Sequence, residues 1–163
     1  MDRFLSHFTN RLDAKGRVSV PAPFRAVLAR DGFEGLFVHP ALGCPALDAG
    51  GHALLSEIDA FLATLSPYSE ERDQLSTALL GTSEILKVDP EGRVTLTESA
   101  KAHAGITEAV TFVGLGPKFQ IWDPEAFRAH LEEARGKVRA LRSRIGPAYP
   151  EPNGASRTGA LDR

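Results

Sequence analysis

The chain of 163 residues contains a single cysteine, Cys44, which leaves no internal disulfide and no metal centre built on several thiolates. No apolar run approaches the roughly 20 residues needed to span a bilayer. The amino end, Met1-Asp2-Arg3-Phe4, does not open a basic stretch followed by a long apolar one. The expectation is a protein that is neither exported nor membrane-inserted, with the cytoplasm as its compartment. The five histidines, His7, His39, His52, His103 and His130, have neither HxH nor HExxH spacing, so no metal is expected. Cys44 lacks an identifiable base partner and reads as a small core residue. Gly114-Leu115-Gly116-Pro117-Lys118 lacks Walker spacing and lies between two strand-like runs, where a hairpin turn accounts for it. The adjacent acids Glu70-Glu71 and Glu132-Glu133 fall in polar helical stretches and read as solvated faces. No catalytic residues, cofactor or enzymatic activity are expected.

What is present is the composition of a globular protein, 42% apolar and 25% charged, enough for one ordinary domain or two very small ones. The net charge of −2 hides an uneven distribution. Residues 1–30 carry six basic side chains against two acids, residues 31–84 one against nine, and residues 85–145 ten against eight. Such asymmetry suggests a binding face at the amino end beside an acidic solvated segment.

The chain also repeats itself. Leu12-Asp13-Ala14-Lys15-Gly16-Arg17-Val18-Ser19-Val20 aligns with Val88-Asp89-Pro90-Glu91-Gly92-Arg93-Val94-Thr95-Leu96 at an offset of 76, and self-similarity of this kind decides a fold assignment. Further on, Leu36-Phe37-Val38 matches Thr111-Phe112-Val113 and Leu47-Asp48 matches Trp122-Asp123, both at an offset of 75. Both copies read as a turn leading into a strand: Asp bonds nearby amides, and Gly supplies positive φ. In the strands Arg17 and Ser19 alternate with Val18 and Val20, as Arg93 and Thr95 do with Val94 and Leu96. Asp13 and Asp89, four residues before the arginines, are placed to pair with them.

A short helix follows each strand. Phe24, Val27 and Leu28 have helical spacing in copy one; in copy two Thr97 caps residues 98–104 and Gly105 ends them. Strands are expected over residues 35–38, 109–114 and 118–122. Between the copies, residues 53–65 and 69–80 read as helices. A last helix begins with Asp123 as N-cap and Pro124 at its first position. Its end carries Arg135, Lys137, Arg139, Arg142 and Arg144, open to two readings, a nucleic-acid contact or a solvated end complementing the helix dipole. The Pro- and Gly-rich residues 146–163 are expected to be a disordered tail. Each unit is too small to bury a core alone, so the two must pack together.

These residues carry a family resemblance. The segment from Leu12 to Pro21, with Phe24-Arg25, resembles the signature of the MraZ family. Residues 89–94, His103-Ala104-Gly105-Ile106, Val113-Gly114 and Phe119-Gln120-Ile121-Trp122 are similar to its second repeat, the match running from about residue 4 to 135. The resemblance implies an α+β, mainly β fold: two AbrB-type swapped-hairpin units forming an intramolecular pseudo-dimer with flanking helices. Its parts are a first unit at 4–52, a helical connection at 53–80, a second unit at 81–124, a C-terminal helix at 125–145 and the tail. It also implies a ring-shaped homo-oligomer associated with the nucleoid. The partner would be double-stranded DNA, as short direct repeats upstream of the protein's own gene in the division and cell wall cluster, with repression as the outcome. Matched position by position, Lys15, Arg17, Arg25, Arg93 and Lys101 are the DNA-binding candidates, and Asp13, Gly16, Asp89 and Gly92 the structural ones. Ser6 departs from a usual glycine, Thr97 from a proline, Lys101 from an arginine, and Glu91 stands opposite Lys15. The second turn is thus the less basic, so copy one is expected to lead in DNA contact and copy two in packing. The alternative is an AbrB-like protein-interaction module, an antitoxin or assembly platform.

Overall fold

The computed structural model describes residues 2–145; the expected tail at 146–163 lies outside them. A first compact unit ends at Phe127 and a second begins at Arg128. The first contains strands β1 (His7–Arg11), β2 (Arg17–Ser19), β3 (Leu36–Pro40), β4 (Leu47–Gly50), β5 (Glu84–Leu86), β6 (Arg93–Thr95), β7 (Ala109–Gly114) and β8 (Phe119–Trp122). Its helices are α1 (Ala22–Asp31), α2 (His52–Leu62), α3 (Glu70–Ser76), which continues into a π-helical turn at Thr77–Gly81, and α4 (Glu98–Ala104). Helix α5 (Pro124–Ile145) starts in the first unit, where Phe127 packs on Trp122 and His7. Within the second unit Lys137 pairs with Glu133 at 3.8 Å.

Local chemistry sets the helix ends. Thr97 Oγ1 accepts from Ala100 N at 3.1 Å to cap α4, and Asp123 Oδ2 accepts from Ala126 N at 3.0 Å to cap α5, satisfying amides that have no partner within the helix. Pro21 occupies the equivalent position before α1 and makes no side-chain cap. Both α1 and α4 end on a left-handed glycine, Gly32 and Gly105.

Six strands form one antiparallel sheet in the order β1-β7-β8-β4-β3-β5, and β2 pairs with β6 as a separate ribbon. The order reads the same from either end when each strand is exchanged for its counterpart in the other copy. The exchange is literal. β1, from copy one, pairs with β7 of copy two, and β5, from copy two, pairs with β3 of copy one. Each unit therefore lends its first strand to the other, which is a swapped hairpin within one chain. The twofold relation passes between Val18 and Val94 in the ribbon and between Asp48 and Gln120 in the sheet, since each is paired with its own counterpart.

The pairing corrects the sequence alignment of the repeat beyond the turns. Phe8 faces Phe112 in β7, and its counterpart Glu84 faces Val38 in β3, so Val38 corresponds to Phe112 and not to Val113. Likewise Asp48 corresponds to Gln120, and it lies inside β4 instead of capping a helix as Asp123 does. Because side chains alternate across a strand, a slip of one residue exchanges inward and outward faces. With the corrected match Leu36 and Val38 align with Val110 and Phe112, all four in the core.

That core lies between one face of the sheet and a layer made of the ribbon, α1 and α4; it holds Phe4, Val18, Phe24, Val94, Leu96, Phe112 and Phe119. On the other face Phe37 packs with Leu54, Ile58, Leu62 and Leu79 beneath α2 and the π-helical turn.

Ser6 has φ 71°, the only positive φ at a non-glycine residue among those described. Its carbonyl accepts from Gly114 N at 2.8 Å while Phe4 and Gly116 bridge at 2.8 and 2.9 Å, and this pins the backbone where a side chain is strained. A left-handed residue other than glycine costs about 1–2 kcal/mol, and glycine returns about half of that through the unfolded chain. Ser6→Gly is expected to stabilise the protein by about 0.5–1 kcal/mol in urea denaturation; an unchanged or lowered midpoint would show that the position carries no strain.

Candidate nucleic-acid interface

The two turns are copies of one another down to the hydrogen bond. In the first, Asp13 Oδ1 accepts from the amides of Lys15 and Arg17 at 2.9 Å each, and Oδ2 accepts from Arg17 Nε at 2.7 Å. In the second, Asp89 Oδ1 accepts from the amides of Glu91 and Arg93 at 2.9 Å each, and Oδ2 from Arg93 Nε at 2.8 Å. Gly16 and Gly92 provide φ of 80° and 82° to close the turns. The amide of Arg17 and the Arg17 side chain hold the Asp13 carboxyl down at about 2, and Arg93 lowers Asp89 in the same way. Each aspartate thus orders its turn and orients its arginine at once.

Cross-strand pairing sets the outer face of the ribbon. Arg17 lies opposite Thr95 and Ser19 opposite Arg93, and all four alternate with Val18 and Val94, which are buried. The ribbon therefore presents one arginine and one hydroxyl at each end, the two arginines lying on one diagonal and the two hydroxyls on the other. The carbonyls of the turn glycines reach across it, Gly92 O accepting from Val20 N at 2.9 Å and Gly16 O from Leu96 N at 3.4 Å.

The remaining candidates sit across the twofold relation. Arg25, from copy one, lies over the second turn, where a Cβ on Gly92 would come 2.8 Å from its Cζ. Its Nη1 donates to Val20 O at 3.2 Å. Lys101, from copy two, lies by the first turn, 3.8 Å from where a Cβ on Gly16 would be. A groove of about 320 Å³ opens there, lined by Arg11, Asp13, Gly16, Lys101 and Glu108 among others. Each turn thus draws its cations from both copies. Lys15 and Arg17 stand with Lys101, and Arg93 with Arg25. Sequence position alone groups these residues by copy; the pairing of β2 with β6 regroups them by turn.

The two sites differ in their acids. Lys101 Nζ pairs with Glu98 at 2.9 Å, and Arg93 is bound by Glu91 at 2.6 Å as well as by Asp89. The copy-one positions matching Glu91 and Glu98 hold Lys15 and Ala22. Asp89 raises the Arg93 guanidinium above its usual value, with Glu91 and Asp13 adding to the effect. Ser19, Thr95 and Glu98 were not among the expected site residues, although the period of two along each strand already puts Ser19 and Thr95 beside the arginines.

The remaining features fall elsewhere. Residues 114–118 form the expected hairpin turn, with Leu115 N donating to Lys118 O at 2.9 Å. Cys44 is not a core residue; it is half-buried beside Gln120, 3.9 Å from Nε2, and burial pushes its thiol up. It lines a pocket of about 310 Å³ with His39, Asp48, Lys118 and Gln120. Among the described residues no group of three or more acids, histidines or cysteines is arranged to hold a metal, and no helix is long and apolar enough to cross a membrane.

A doubled swapped-hairpin β unit with an aspartate-ordered basic turn in each copy defines an AbrB-like protein. Comparison with known proteins narrows the class. The profile of the family described as "MraZ protein, putative antitoxin-like" matches residues 78–144. The chain is 68% identical to "Transcriptional regulator MraZ" of Beijerinckia indica over 95% of its own length and 99% of the relative's. It is 67% identical to the protein of that name from Methylocella silvestris, over 94% and 93%, and 46% identical to that from Rhizobium meliloti, over 88% and 99%. The chain belongs to the MraZ family, whose members here bear the name of transcription regulators.

Proposed function

We propose that this transcription regulator binds double-stranded DNA sequence-specifically through the outer face of the β2/β6 ribbon and its two turns. The carrying observation is the pair of Asp-oriented arginines on one exposed ribbon face. A two-stranded ribbon fits the major groove, and arginine there reads guanine with two hydrogen bonds. At the first turn Arg17 gives only its Nε to Asp13, so its Nη groups remain for a base or phosphate, and Lys15 is exposed beside it. The first turn makes the leading contact, with Arg25, Arg93 and Lys101 contributing from across the ribbon. The two units at 4–52 and 81–124 present these turns, residues 53–80 connect them, and the helix at 125–145 follows. The protein acts in the cytoplasm, on the nucleoid and without enzymatic activity, as a repressor of the division and cell wall cluster that includes its own gene. It binds direct repeats there as a ring of identical chains. Joining several weak sites raises the effective concentration of each, which lets a chain of net charge −2 bind DNA.

The test is a salt titration with DNA from upstream of the gene. Affinity is expected to fall by about 0.9 log unit per tenfold salt for each phosphate neutralised, and Arg17→Ala to cost about 1–3 kcal/mol on that DNA. Equal loss on unrelated DNA would make Arg17 a phosphate contact only. No loss would remove it from the site. An absence of binding at low salt would favour a protein partner for this face.

A further inference from the structure

The two turns share a backbone and an Asp-Arg clamp, so a difference between them stands out against an internal control. Arg17 is clamped through Nε alone. Arg93 is clamped through Nε in the same way, at 2.8 against 2.7 Å, and is bound a second time through Nη2 by Glu91. The Glu91 side chain is 70% exposed and that of Arg93 28%. The exposed carboxylate of Glu91 therefore holds a guanidinium nitrogen, Nη2, that in the first turn is not paired with a carboxylate. A carboxylate oxygen at this distance from an arginine nitrogen makes the same charge-assisted contact as a phosphate oxygen.

We propose that Glu91 occupies on Arg93 the place of a DNA phosphate, keeping the second turn closed until a phosphodiester displaces it. The two turns then bind DNA with unequal strength, the first open and the second gated by its own carboxylate. This rests on the reading of the ribbon as a DNA-binding face and adds which residue sets the difference between its ends. The energetics allow displacement. An exposed ion pair contributes little in water, whereas a phosphate contact also releases condensed counterions. The exchange therefore favours DNA at low salt and reverts to Glu91 as salt rises. Glu98 on Lys101 at 2.9 Å opposes the first turn less directly, because Lys15 and Arg17 have no such carboxylate of their own beyond Asp13.

The experiment compares wild type, Glu91→Gln, Arg93→Ala, the double variant, Arg17→Ala and Glu57→Gln on a short mixed-sequence duplex across a salt series. Glu57 makes the same charge change on α2, across the sheet from the ribbon. Glu91→Gln is expected to bind about three- to tenfold tighter at low salt, with a log–log slope steeper by about 0.9, the equivalent of one more phosphate. The gain should vanish when Arg93→Ala is already present, and Glu57→Gln should not reproduce it. Unchanged affinity and slope in Glu91→Gln overturns the proposal. So does an equal gain without Arg93 or from Glu57→Gln, either of which reduces the effect to net charge. If Arg17→Ala binds as wild type while the Glu91 effect persists, the leading role of the first turn fails and the gating stands. If Arg17→Ala weakens binding and Glu91→Gln changes nothing, the DNA reading stands and the gating fails. Thermal unfolding of Glu91→Gln is expected to match wild type, since the side chain is exposed.

Discussion

Phe24→Ala is expected to lower the stability of the protein by about 3–5 kcal/mol, a large part of the total for a domain of this size. Phe24 is 1% exposed. Its ring meets Phe4 edge-on at 5.3 Å, Phe8 at 5.5 Å and Phe119 at 4.9 Å. These partners come from the amino-terminal segment, from β1 and from β8, while Phe24 itself is on α1. The cavity would open where the strand lent by copy one meets a hairpin of copy two, so no single element could move to fill it. Beyond lost apolar contact, each aromatic pair carries a further increment of about 0.5–1.5 kcal/mol. Urea denaturation of Phe24→Ala and Phe24→Leu together gives the check. Leu should retain most of the stability, and a loss below about 1 kcal/mol for Ala would mean that this cluster does not hold the two copies together.

Asp48→Ala is expected to cost about 2–3 kcal/mol, through the donors it strands. Asp48 lies 6% exposed at the middle of the sheet, opposite its own counterpart Gln120. Its Oδ1 accepts from Gln120 Nε2 at 2.8 Å and its Oδ2 from Lys118 Nζ at 2.9 Å, with His39 Nε2 at 3.6 Å. Gln120 Oε1 in turn accepts from Trp122 Nε1 at 2.9 Å. Removing the carboxylate leaves an ammonium and an amide without their acceptor. Lys118 keeps partial access to water, which places the cost below that of a wholly buried pair. A second substitution, Lys118→Met, should recover part of the loss by removing the stranded charge, and a double-mutant cycle measures the coupling. A cost below about 1 kcal/mol for Asp48→Ala would show that water replaces the carboxylate.

The turns were legible because their chemistry is local. Asp13, Gly16 and Arg17 lie within five residues, and the requirement for a carboxylate acceptor and a positive φ is written in residue type. The same holds for the caps Thr97 and Asp123 and for the left-handed Gly105. The helix expected over residues 69–80 is present, but it changes from α to π at Thr77, which composition does not signal. β1, β4 and β5 lie outside the strands expected from the sequence: in β4, Leu47-Asp48-Ala49-Gly50 is buried throughout and so shows no exposed face to mark it. The residue-by-residue match of the copies failed beyond the helices for a related reason. Helix α1 has ten residues and α4 seven, and loops of different length separate β3 from β4 and β7 from β8, so only strand pairing counts across them.

That the chain is double, that each half carries an aspartate and an arginine at a turn, and that the second turn holds an acid where the first holds a lysine can all be read from residue order alone. These properties depend on residues a few positions apart. The exchange of β1 and β5, the place of Arg25 over Gly92 and of Lys101 by Gly16, and the pairing of Glu91 with Arg93 Nη2 emerge only in the folded chain. Those placements depend on contacts between residues far apart in the chain, made when neither half can bury its apolar face alone and each completes the sheet of the other.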